Sequence, residues 1–136
     1  MIIFLRGLFI VVMGSMLWVT SWASLQQPLG EFFRGSVIRD PWVIATLFDA
    51  YWAFIAFFVW VAWKEKSIGA RVLWFISLIA LGNIGIAAYM LDELFSVTAA
   101  EPRQEALQKV FARQNPGGLL LPGALTGISV VIYLLA

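Results

Sequence analysis

Chemistry in this sequence has to be sought inside its apolar runs, where two ionisable residues lie: Arg6 in the first run and Asp49 in the second. An unpaired charge near the centre of a hydrocarbon layer costs at least ~2.5 kcal/mol on insertion scales, so each demands a reason. Arg6 sits about 6 Å from the end of its run at the helical rise, and its long side chain reaches the headgroups by snorkelling. Asp49 lies about 10 Å from the nearer end of its own run, too deep for a short side chain to reach the surface. It is therefore expected to face the interior of a helix bundle. The same depth count sets Ser15, Asn83 and Thr126 at about 10–12 Å from that face, with Tyr51 slightly deeper. Ser15, Asp49, Tyr51, Asn83 and Thr126 thus form a candidate intramembrane polar layer. Its chemistry would be proton transfer or cation pairing by Asp49, the candidate catalytic residue, oriented by Asn83 and Tyr51. The plainer reading is a set of interhelical hydrogen bonds, each worth ~0.6 kcal/mol on average in membranes. Gly82 and Gly85 around Asn83, and Gly14 beside Ser15, suit close helix approach under either reading.

Other chemistries are excluded by composition. The chain has no cysteine, so disulfides, thiolate metal sites and thiol catalysis are absent. It has no histidine either, which removes imidazole ligation and the commonest catalytic base. Any cofactor would have to be held without either residue, and no metal-ligand cluster, phosphate loop or nucleotide fingerprint stands in the sequence. Nine basic and eight acidic residues are spread along the chain with a net charge of +1, which leaves no basic face for nucleic acid.

The elements that must position such a layer follow from hydropathy. Hydrophobic residues make up 62% of the chain and charged residues 12%, against about half and about a quarter in soluble domains, so lipid is the expected solvent. The reading is one transmembrane domain over residues 1–136: an all-α, integral membrane bundle of four transmembrane helices at about 2–22, 42–63, 72–91 and 119–136. A secretory signal peptide competes for the first run on Ser21 and Ala23, but no basic region precedes it. Asp40 and Pro41 form a helix start, a carboxylate cap ahead of a proline at the first helical position. Lys64, Glu65 and Lys66 close the second run, and a short turn leads into the third. Residues 102–114 read as a short amphipathic helix on the membrane surface, with Glu105 and Lys109 as an i,i+4 pair. Trp18, Trp22 and Trp42 fall near one face and Trp60, Trp63 and Trp74 near the other, the pattern of an aromatic belt. Basic residues in the turn after the second run place both termini in the cytoplasm.

The run from Asp40 through Pro41, Trp42, Thr46 and Asp49 to Tyr51, the exit Trp60 to Ser67, and Leu81-Gly82-Asn83 with Ala88-Tyr89 resemble the membrane-protein family called domain of unknown function 1475. The likeness is clearest over about 41–91 and looser over the first run with Arg6. It implies a small multi-span architecture and no particular activity.

Function is then expected to be that of a non-catalytic accessory or structural subunit, packed against other membrane proteins or against itself within the lipid bilayer. The alternative is a membrane enzyme or carrier for an apolar, lipid-like or isoprenoid-like molecule, with Asp49 handling a proton.

Overall fold

The helix-start and helix-stop chemistry of the sequence sets most of the elements. In the computed structural model, which describes residues 1–136, the chain is all-α, with seven helices, one 3-10 turn and no strand. α1 (Ile2–Gln26) takes up the first apolar run and ends where Gln27 turns to extended backbone ahead of Pro28. α2 (Leu29–Arg34) and a 3-10 turn (Val37–Arg39) fill the connection that follows. α3 (Pro41–Lys64) begins as its cap predicts: Asp40 Oδ1 accepts the Trp42 N–H at 2.8 Å and the Val43 N–H at 3.4 Å. α4 (Ile68–Leu81) starts on Ser67, whose Oγ accepts the Ala70 N–H at 3.4 Å.

The third apolar run departs from expectation. It is not one span over 72–91 but two helices, α4 and α5 (Asn83–Phe95), joined at Gly82. Gly82 has φ 55° and ψ −125°, on the side of the map where only glycine sits without strain. The chain reverses there. A Cβ on Gly85 would lie 3.0 Å from the Ser77 carbonyl oxygen, and the Tyr89 ring meets the Trp74 ring edge-on at 4.8 Å. Residues spaced that far along one straight helix cannot touch, so α5 runs back alongside α4 as a hairpin. The Phe54 ring of α3 covers the tip, 2.8 Å from where a Gly82 Cβ would stand.

After the hairpin come α6 (Arg103–Phe111), inside the range predicted for a surface helix, and α7 (Leu120–Leu135). Lys109 pairs with Glu101 at 2.7 Å rather than with Glu105. α7 lies along α4 in the same direction: a Cβ on Gly69 would touch Leu119, Thr126 Oγ1 donates to the Leu73 carbonyl at 3.1 Å, and Tyr133 Oη donates to the Ala80 carbonyl at 3.0 Å.

Because α5 returns, the two termini lie at opposite ends of the molecule rather than on one face. Ile2 packs at the lower end with Met90, Leu94, Val97, Ala106 and Val110, while Ala136 touches Gly30 at the upper end. A second core of Val61, Ala70, Trp74, Leu78 and Tyr89 joins α3, α4 and α5. Trp74 is 2% exposed and belongs to this core, not to a belt.

Two helices, α1 and α3, are long and apolar enough to cross a membrane, and α4 and α7 are shorter apolar helices. Of the 25 residues in α1 only Ile2 is buried, and of the 24 in α3 only Val61 and Lys64.

Candidate functional site

The chain reversal at Gly82 separates the five residues of the expected polar layer. Ser15, Asp49 and Asn83 are all exposed. Ser15 Oγ donates to the Val12 carbonyl of its own helix at 3.0 Å. Nothing comes within 4 Å of a Cβ on Gly14, so no helix approaches closely there. Asp49 faces outward, not inward, and neither ion pair of the molecule includes it. Tyr51 is 38% exposed and meets Phe54 edge-on at 5.7 Å. Thr126 sits about 10 Å above the start of α7, in the lower half of the molecule. Its hydroxyl lies 3.1 Å from Ser77 Oγ and so belongs to the α4–α7 contact. None of the five bonds to another.

The polar residues that do converge lie at the lower end, where α3 stops. Lys64 is fully buried and Glu65 is 3% exposed. Tyr89 and Glu93, one helical turn apart on α5, present both polar groups to this point. Lys64 Nζ pairs with Glu93 Oε2 at 2.8 Å and donates to the Val110 carbonyl at the end of α6. Tyr89 Oη donates to Glu65 Oε1 at 2.9 Å. Asn115 completes the set: its Nδ2 donates to Glu65 Oε1 at 2.9 Å and to Glu93 Oε1, using one amide group to join two carboxylates.

Backbone contacts fix the same place. Asn115 N–H donates to the Lys64 carbonyl at 2.7 Å and Lys66 N–H to the Asn115 carbonyl at 3.1 Å, a single bridge between two otherwise helical regions. Gly117, at φ 90°, lies directly against Ser67, where a Cβ could not fit. The Trp60 indole donates to the Phe111 carbonyl at 3.0 Å and its ring lies 5.3 Å from Lys64 Nζ. Trp60 and Trp74 each meet the Tyr89 ring edge-on.

Arg6 belongs to this lower end as well. It is not free to reach headgroups, because its guanidinium donates to the Leu94 carbonyl at 2.9 and 3.2 Å and lies 4.7 Å over the Phe95 ring. A cation placed on the last carbonyls of α5 is favoured by the helix dipole. On the outer side of α6, the Lys109 ammonium, bonded at 2.7 Å, holds the Glu101 carboxyl below its ordinary range, aided by the Thr98 backbone N–H.

Every buried side-chain polar atom has a hydrogen-bond partner. Two carboxylates, one ammonium, one phenol and one amide thus saturate one another, and chemically this arrangement is a lock between α3, α5 and the segment after α6. Sequence reasoning missed it by reading Lys64, Glu65 and Lys66 only as the close of the second run. The available signal was the spacing of Tyr89 and Glu93, which puts a phenol and a carboxylate on one helical face.

A separate hollow of about 790 Å³ opens at the upper end between α1, α2, the hairpin tip and α7. Leu17, Leu29, Phe32, Ile84 and Tyr133 line it, with Thr20 and Gln27 at its edge.

No curated protein and no solved structure matches this chain. A family match runs over residues 2–120, from the start of α1 through the buried lock to the first residue of α7. The chain belongs to the family described as Protein of unknown function (DUF1475).

Proposed function

We propose that the protein is a membrane-embedded, non-catalytic accessory subunit that packs against another membrane protein. The observation that carries this reading is the outward apolar surface of α1 and α3, in which the rest of the chain buries only Ile2, Val61 and Lys64. Trp18 is 74% exposed, Trp42 81%, Phe48 65% and Trp52 64%, far beyond the apolar patches a water-soluble monomer carries. The saturated lock adds to it, since buried polar groups that satisfy one another hold a shape.

In this reading α1 and α3 cross the bilayer, the α4–α5 hairpin enters from the lower end and returns, and α7, about 24 Å long, runs up beside α4. At 1.5 Å per residue, α4 with 14 residues reaches only about 21 Å, short of a hydrocarbon core of about 30 Å. Irregular backbone at such depth is tolerated where protein covers it, as Phe54 covers Gly82. Lys66, Arg71, Arg103, Lys109 and Arg113 mark the lower end as cytoplasmic, against Arg34 and Arg39 above. The N-terminus is then cytoplasmic and Ala136 lies on the other side.

Single cysteines in this cysteine-free chain test the arrangement. In intact cells an impermeant maleimide is expected to label Ser36→Cys at once and Gln104→Cys only after permeabilisation. Gentle extraction should yield a complex larger than the chain. A chain that alkaline carbonate strips from membranes, or that runs alone as a stable monomer, sinks the proposal.

The upper hollow favours a second reading, a carrier for an apolar molecule, without any role for Asp49, which does not line it. Mass spectrometry of the extracted protein decides: a stoichiometric lipid-like compound supports the carrier, and its absence removes it.

A further inference from the structure

We infer that the outer face of α3 around Asp49 docks a transmembrane helix of a different protein, one that brings a lysine or arginine to the level of Asp49. This inference rests on the proposed membrane-embedded accessory role and names the partner's chemistry.

Asp49 stands eight residues into α3, about 12 Å below its start, and faces outward. A carboxylate cannot snorkel that far and is costly in lipid unless a partner group meets it. Ala45, Asp49 and Ala53 recur every four residues and stack on one face, with Ala56 just below, and all four are exposed. Small side chains on both sides of the carboxylate let a second backbone come close. Trp52 stands on the flank of this strip, where a hollow of about 340 Å³ lined by Leu47, Phe48, Tyr51, Trp52 and Ile55 offers room for apolar side chains of the incoming helix. The face thus combines close approach, an apolar seat and one uncompensated charge.

A second copy of this chain does not fit. Arg6 is bonded to α5 carbonyls and Lys64 to Glu93, both at the lower end. Arg34 and Arg39 precede α3 above, and the remaining cations follow it below. No cation of this chain stands at the level of Asp49, so a symmetric α3 pair would set carboxylate against carboxylate. Charge complementarity selects a heterologous helix with a cation.

The test uses the full chain in its native membranes, with a photo-reactive residue at Ala45 or Ala53 and a control at lipid-facing Leu134. Irradiation is expected to join Ala45 and Ala53, but not Leu134, to a peptide of another protein whose apolar helix contains a lysine or arginine. Asp49→Leu should reduce that adduct about tenfold or more while the chain stays carbonate-resistant. Asp49→Lys combined with an acidic residue at the partner's cation should restore it. Adducts to lipid only, to a second copy, or to a helix without a cation overturn the inference, as does an adduct that Asp49→Leu leaves unchanged. Those outcomes leave the membrane reading standing; release of the wild-type chain by carbonate overturns both.

Discussion

The lower and upper halves of the molecule treat polar residues in opposite ways. Below, two glutamates, a lysine and a tyrosine are buried and, with a half-buried asparagine, bonded to one another. Above, Asp49 stands on an open helix face beside exposed Trp42, Phe48 and Trp52. Both halves are built largely from the same apolar helices, so hydropathy alone does not distinguish them. The difference lies in which helices meet. α3, α5 and the segment after α6 converge below, while the first half of α3 is mostly left without neighbours above. The buried charges within the fold have their partners in the chain, and the exposed carboxylate of Asp49 has none there.

Substitutions in the two halves should therefore behave differently, and the largest effect belongs to the lock. Lys64→Met leaves Glu93 buried without its cation, and unfolding in mild detergent should show a loss of about 3–5 kcal/mol. Adding Glu93→Leu to that variant should recover much of the loss, because an apolar pair needs no solvation. Tyr89→Phe removes one hydrogen bond to a charged group while Asn115 still holds Glu65, and about 1.5–3 kcal/mol is expected in the same assay. Gly82→Ala forces a side chain onto φ 55° and into Phe54, for about 1–3 kcal/mol. It should also open the hairpin, which distance measurements between spin labels on α4 and α5 would detect.

The pair between Glu101 and Lys109 of α6 comes next. Glu101 has a folded pKa below its unfolded value, so its contribution is complete above the unfolded value and fades as pH falls through the folded one. The stability gap between wild type and Glu101→Gln should be present at neutral pH, vanish in acid and shrink with added salt. Smallest of all, Asp49→Asn should move the unfolding of the isolated chain by no more than about 0.5 kcal/mol. A large loss there would place Asp49 inside the fold and erase the contrast between the halves.

Local chemistry was the legible part of this sequence. Asp40 with Pro41 marked the start of α3, and the polar stretch before the last run contained α6 within residues 102–114. The third run misled because apolarity reports which residues avoid water and says nothing of chain direction. Residues 72–91 carry no charged side chain, and only Gly82, with a neighbour such as Phe54 to cover it, lets them fold into two antiparallel helices. That single reversal moved the later segments to the other end, which took Thr126 away from Asp49 and put Asn115 beside Lys64. Trp74 and Lys64 were misplaced for a related reason: both sit where interfacial residues belong, but neighbouring helices cover them.

The lock also imposes an order of events on a chain made from its N-terminus. The α4–α5 hairpin joins neighbours in sequence, and Lys64 meets Glu93 across 29 residues, so these contacts can form early. Asn115 reaches Glu65 only across 50 residues. Until it is synthesised, Glu65 and Glu93 lack the amide that joins them and the end of α3 lacks its backbone bridge. Residues 96–115, which also bring Val97, Ala106 and Val110 to the lower core, thus decide when the preceding helices become a closed unit, and a nascent chain halted before Asn115 would hold its helices without the fastening between them.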